Sequence, residues 1–179
     1  MIGGLRQAVE AAYSRFVLLD IFAKVVPGSV VLASTVASLS SWDALLQRLG
    51  RMPWWVFLLV LGASWTAAFA VQSLGEAIRL LRDLPNKYSD RADWYKRLKT
   101  FEATASDVQK QQAARLLVIK EACGNGALAL VFAVVLNLSR ATAGHWPLLL
   151  VALAVFLALL RMHHEHTTRH QIYVDAVIG

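Results

Sequence analysis

The run WWVFLLVLGASWTAAFAVQSLGEAI, residues 54–78, carries no charged side chain before Glu76. A helix needs about 20 mainly apolar residues to cross the hydrocarbon core of a bilayer. Three further runs have the same character. FVLLDIFAKVVPGSVVLASTVASLS covers residues 16–40, and its uninterrupted part is Val25–Ser40. GNGALALVFAVVLNLS covers residues 124–139, and WPLLLVALAVFLALLRM residues 146–162. In lipid no water satisfies backbone N–H and C=O groups, so each run is expected to be helical. The expected fold class is all-α: a polytopic helical membrane protein of about four transmembrane helices with a cytoplasmic helical layer. Composition agrees. The chain is 57% hydrophobic and 17% charged, against about 45–50% and about 25% for soluble domains.

Charge sets the expected orientation. With four spans, the N-terminus, residues 79–123 and the C-terminal tail share one side. That side holds fourteen Lys and Arg, and the other holds Arg48, Arg51 and Arg140. The positive-inside rule puts both termini and the central insert in the cytoplasm. Trp42, Trp54, Trp55 and Trp146 then fall near the opposite interface as an aromatic belt. The first fifteen residues read as an amphipathic helix rather than a cleavable signal. The single Cys123 permits no internal disulfide.

Four parts follow. Residues 1–78 hold the amphipathic helix and the first two spans, 79–123 a basic helical insert, 124–162 the last two spans and 163–179 a cytoplasmic tail. Pro85-Asn86 breaks the insert. Asp107 is the expected N-cap of a helix that continues into the third span. Gly124 and Gly126 mark a kink or a close helix contact. Pro27-Gly28 is either a kink or the start of the first span. Gly62, Ala63, Ser64, Ala67, Ala68 and Ala70 let another helix approach span two closely.

Ionisable residues inside a membrane are informative because each costs roughly 2.5–3.5 kcal/mol on insertion scales. Asp20 and Lys24 are spaced i, i+4 and can pair at headgroup depth or contribute to a charge ring in an oligomeric pore. Gln72 and Glu76, also i, i+4, end span two, where they either snorkel to the surface or face a neighbouring helix or a water path. These four are the pore or gate candidates.

The tail begins RMHHEHTTRH, residues 161–170. Arg161 and His166 have the R-x4-H spacing of the HEPN superfamily of RNases. There the histidine works as acid or base on a 2′-hydroxyl, and the arginine stabilises the charged transition state. A structural role for the pair is favoured over a catalytic one. His163, His166 and His170 have helical metal-ligand spacing, but no further strong ligand accompanies them. No metal or cofactor is expected. A polar juxtamembrane helix is the plainer reading of the tail.

Taken together, the size, "DIFAKVVPGSVVL", "LGASWTAAFAVQSLGEAI", the basic insert and the late R-x4-H make the chain similar to a known family. It resembles the small membrane accessory proteins of type VI-B, RNA-targeting CRISPR phage-defence systems. The resemblance implies a bacterial inner-membrane protein that assembles into a ring with a central pore and depolarises the membrane during infection. It implies as partners the lipid bilayer, further copies of the chain and an RNA-targeting CRISPR effector or RNA. No small-molecule substrate is indicated. Two rivals stand beside it: a membrane-tethered RNase using Arg161 and His166, and a non-catalytic scaffold binding a cytoplasmic partner.

Overall fold

The computed structural model describes residues 21–81, 90–140 and 146–179. Asp20, His145, the Pro85-Asn86 breaker and the amphipathic helix expected over the first fifteen residues lie outside them. Among the described residues there are six α-helices and no strand. They are α1 (Val26–Leu39), entered through a π-helical turn (Ile21–Val25), α2 (Trp42–Leu49), α3 (Trp54–Ala77), α4 (Arg91–Thr104), α5 (Asp107–Asn137) and α6 (Trp146–Ile178). Four of them are long and apolar enough to cross a membrane: α1 with its leading turn, α3, α5 and α6. The protein is an all-α, polytopic helical membrane protein.

Local chemistry explains the boundaries. Pro27 sits in the first turn of α1, where its missing N–H and fixed φ suit a helix start. Pro53 precedes α3 in extended conformation. At the other end of α3, Arg79 adopts φ +59°. There Leu80 N–H donates to Gly75 O at 2.9 Å and Arg79 N–H to Glu76 O at 3.0 Å. That double closure is a Schellman motif, which usually takes glycine at the left-handed position. Ser41 caps the short α2 through Ala44 N–H. The cap of α5 is Ser106, not Asp107: its hydroxyl accepts from Gln109 N–H, while Gln109 Oε1 accepts from Ser106 N–H at 2.8 Å. Asp107 stands one residue later, in the first turn, where its carboxylate meets the positive end of the helix.

α5 is 31 residues long and α6 33, so they extend roughly 46 and 50 Å. The hydrocarbon core is about 30 Å thick. Both helices therefore continue well beyond it. α5 and α6 pack along much of their shared length, and α5 also meets α1 and α3. Outside the apolar slab, α4 packs on the polar half of α6. Trp94 and Phe101 from α4, Ala113 from α5 and Val174 from α6 form the core of this layer. Arg97 Nη1 closes it on Asp175 Oδ1 at 3.1 Å. The insert and the C-terminal tail thus pack on one another.

Within the slab little is buried. Of the apolar windows of α3 and α6, only 17% and 6% are buried. The inner stripe of α3 is narrow: Ser64, Ala68, Val71 and Gly75. Phe57, Leu58, Leu59 and Trp65 of the same helix are exposed. Such continuous apolar surface is what lipid or another helix covers. Trp42, Trp54, Trp55 and Trp146 are all exposed and stand at the helix starts facing away from the α4 layer.

α1 and α3 approach each other closely at Gly28. A Cβ on Gly28 would overlap the Ser64 carbonyl oxygen and lie 2.6 Å from its carbon. Beside it Ser29 Oγ donates to Ser64 Oγ at 3.0 Å, and Ser64 Oγ donates to Val60 O at 2.7 Å. Of the small residues picked out in span two, Ser64 and Ala68 face this contact, whereas Gly62, Ala63 and Ala70 are exposed.

Candidate functional site

Where the apolar slab meets the α4 layer, α1, α3, α5 and α6 bring polar side chains to one level. The arrangement starts at Pro27. A proline has no N–H to return to the carbonyl four residues back. Asn125 Nδ2 of α5 donates to that carbonyl, Ala23 O, at 2.7 Å. The same amide makes a longer contact of 3.5 Å to Gln72 Oε1. Gln72 Nε2 in turn donates to Glu76 Oε1 at 3.1 Å. The relay therefore runs from α5 to α3 and ends on a carboxylate.

Lys24 stands next to it. Its ammonium lies 3.9 Å from Glu121 Oε2 and 4.5 Å from the centre of the Phe69 ring. The ion pair and the aromatic face together offset the burial of the charge. On the α6 side, His163 is 3% exposed and its Nδ1 lies 2.9 Å from Lys120 O. A carbonyl only accepts, so Nδ1 carries the hydrogen and Nε2 is the basic nitrogen. The ring fits because residue 124 is glycine: a Cβ there would come 2.6 Å from His163 Nδ1. Gln72, Glu76, Lys120, Glu121, Asn125 and His163 line a small cavity of about 10 Å³. Its lining holds one ammonium, Lys120, and two carboxylates, Glu76 and Glu121, and Lys24 reaches Glu121 from beside it.

The expected site residues are thereby placed. Lys24 pairs with Glu121, 97 positions along the chain, and Asp20 lies outside the described residues. Gln72 and Glu76 are half-buried and face α5. Arg161 is exposed and His166 half-buried on α6. Five residues turn an α-helix through about 500°, which sets the two side chains about 140° apart around its axis. A single protomer does not bring them together. Of the tail histidines, His163 joins the junction. His170 packs edge-on to Trp94, with ring centres 5.8 Å apart. Burial, and then the nearby Lys120 ammonium, push His170 down to about 4. Gly124 is a point of close contact, as its spacing suggested. A Cβ on Gly126 would meet Leu159 at the ordinary distance of 3.6 Å.

Sequence reasoning missed Glu121 and Asn125 as partners. One signal was present: an asparagine between two glycines at the mouth of an apolar run, just after a Lys-Glu pair. The chain matches no family model, no curated protein and no solved structure.

Proposed function

We propose that the protein is a homo-oligomeric inner-membrane effector that dissipates the membrane potential, with both termini in the cytoplasm and a role in antiphage defence. The observation that carries the reading is the polar junction. Lys24, Glu76, Lys120 and Glu121 meet between helices that are long and apolar enough to cross the membrane. Ionisable groups retained there mark ion or proton paths more often than stability devices. Within one protomer the polar junction encloses only about 10 Å³, so a conducting path through it needs several copies arranged around an axis. The outer side of α3 suits such assembly. Gly62, Thr66 and Ala70 repeat every four residues along α3, a spacing that lets helices approach closely in lipid. The defence setting rests on the sequence resemblance alone.

The test is expression in cells carrying a potential-sensitive dye, with native mass measured on the purified protein. The expected result is an oligomer several times 19.7 kDa and loss of membrane potential. Reporters placed near Ser89 and after Gly179 should face the cytoplasm, and one near Gly144 the opposite side. A monodisperse monomer that leaves the potential intact sinks the proposal and leaves the helical layer as a docking scaffold.

A further inference from the structure

We infer that a crevice between α5 and α6 holds one acyl chain of a bilayer phospholipid, drawn from the leaflet in which α5 ends and α6 begins. The site depends on insertion in a membrane and not on conduction. The crevice has a volume of about 330 Å³, and leucine, valine, alanine and phenylalanine side chains build its walls. Leu130, Val134 and Leu138 repeat every four residues on α5, while Leu149, Leu153 and Phe156 share one face of α6. Side-chain size explains the opening. At Gly124 and Gly126 α6 comes close: an added Cβ would lie 2.6 Å from His163 Nδ1 and 3.6 Å from Leu159. From Leu130 onward the α5 stripe that faces α6 is leucine and valine, and the two helices no longer close on each other.

Direction and shape identify the occupant. From Leu130 to Leu138 the crevice runs about 12 Å along α5, close to the roughly 15 Å of one leaflet. Leu138 caps the end of α5, and Leu149 stands in the first turn of α6. The crevice therefore opens at the headgroup end of the slab and runs inward along the helices, as lipid chains do. About 330 Å³ over about 12 Å leaves a cross-section of about 28 Å², a slot roughly 5–6 Å across.

Carbon atoms pack at about 3.5–4.0 Å, so a single hydrocarbon chain fills such a slot. A helix, about 10–12 Å thick with its side chains, does not enter it. Helices that meet in lipid also use small residues, and Ala152 is the one small residue on these walls. Small residues line the outer side of α3 instead, at Gly62, Thr66 and Ala70. Water gains nothing in the crevice, because apolar cavities of about 150 Å³ already stay dry. The rim is open to lipid, with Val135, Leu138 and Leu153 all exposed. A seated chain supplies carbon contacts that the walls otherwise lack, and it keeps α5 and α6 apart at this end.

The test uses the full chain in vesicles of phosphatidylethanolamine and phosphatidylglycerol, with a trace of phosphatidylglycerol that carries a diazirine on one acyl chain. Illumination and peptide mass spectrometry then read where that chain sits. Val151 and Val155, exposed on the opposite face of α6 at the same depth, report ordinary surrounding lipid. Labelling of Leu149, Leu153 and Phe156 is expected to exceed theirs about tenfold or more, the ratio that about 1.4 kcal/mol of preference gives. Ala152→Phe fills the slot and is expected to bring crevice labelling down to the level of the opposite face, with elution volume unchanged. Val134→Phe, from the other wall, should do the same and carries the test where Ala152→Phe does not fold. Equal labelling of the two faces in wild-type protein overturns the site. Crevice labelling that persists in both filled variants, each folded, overturns it as well. An unlabelled wild-type crevice, with Leu153→Cys joining two copies through a disulfide, gives the crevice to a second copy and overturns the lipid site.

Discussion

Replacing Gly28 by alanine adds one methyl group at the tightest point between α1 and α3. The new Cβ would lie 2.6 Å from the Ser64 carbonyl carbon and 3.1 Å from its Cα. Favourable carbon contacts lie at about 3.5–4.0 Å. The obstacle is helix backbone, which cannot rotate aside as a side chain does, so α1 and α3 must separate by about 1 Å to restore that spacing. Overpacking of this kind costs about 1–3 kcal/mol. Separation also stretches the Ser29–Ser64 hydrogen bond, of a type worth about 0.6 kcal/mol in a membrane protein. Alanine returns up to about 1 kcal/mol of helix propensity. The expected net loss is therefore about 0.5–2.5 kcal/mol. Gly126→Ala is the matched control, because its nearest new contact is Leu159 Cδ1 at 3.6 Å. It keeps the propensity gain without the clash. The assay is reversible unfolding of purified protein in mixed micelles titrated with dodecyl sulfate, followed by helix signal. Gly28→Ala should unfold at lower dodecyl sulfate than wild type, and Gly126→Ala at the same point or higher. If the two variants agree within about 0.5 kcal/mol, the close approach does not hold α1 to α3, and the account of the bundle fails.

Other expected outcomes come from separate parts of the molecule. His170 is held below the ordinary histidine value of about 6.5, at about 4, so folding favours its neutral form. Stability is then complete above about pH 6.5 and declines as pH falls from there toward about 4, by up to about 3 kcal/mol; melting temperatures measured across that range read this, and His170→Phe should flatten the slope. Arg79→Gly relieves a left-handed residue and should stabilise the protein by about 1 kcal/mol; a lower melting temperature would contradict the Schellman closure of α3. A side chain grown at Gly62 meets nothing within 4 Å in its own protomer, so Gly62→Leu should weaken self-association without changing unfolding; an oligomer of unchanged mass and strength would move the contact to another face. Purified protein should leave labelled single-stranded RNA intact, and metal-independent cleavage that disappears in both Arg161→Ala and His166→Ala would establish the RNase reading instead.

The spans were legible because lipid leaves a chain few choices. The run read from Trp54 forms a helix that begins at Trp54 and ends at Ala77, one residue short of the expected limit. Pattern could not give the partners. Spacing placed Asp20 and Lys24 on one face, but the neighbour of Lys24 is fixed by how α5 packs, and Glu121 is far away in sequence. The same holds for Gln72 and Glu76, whose surroundings depend on Asn125. α2 went unread because eight residues containing Asp43, Gln47 and Arg48 carry no span signal, although Ser41 supplies a cap. At the start of α5 two good caps are adjacent, Ser106 and Asp107. Gln109 decides between them, because only Ser106 has a glutamine three residues on to complete the reciprocal bonds. The change from apolar to charged at Arg161 marked a boundary in environment. It did not mark one in the backbone, because nothing in that stretch disfavours a helix.

That last point has a mechanical consequence. Between Leu148 and Ile178, α6 contains neither glycine nor proline, the usual causes of sharp bends in a helix. It is a lever about 50 Å long, gripped at one end by α4 and lying almost bare in the apolar slab at the other. A tilt of about 10° about its middle moves each end by about 4 Å, given the rise of about 1.5 Å per residue. Any force that shifts Tyr173 or Asp175 in the layer reaches Trp146 as displacement instead of being absorbed at a hinge on the way.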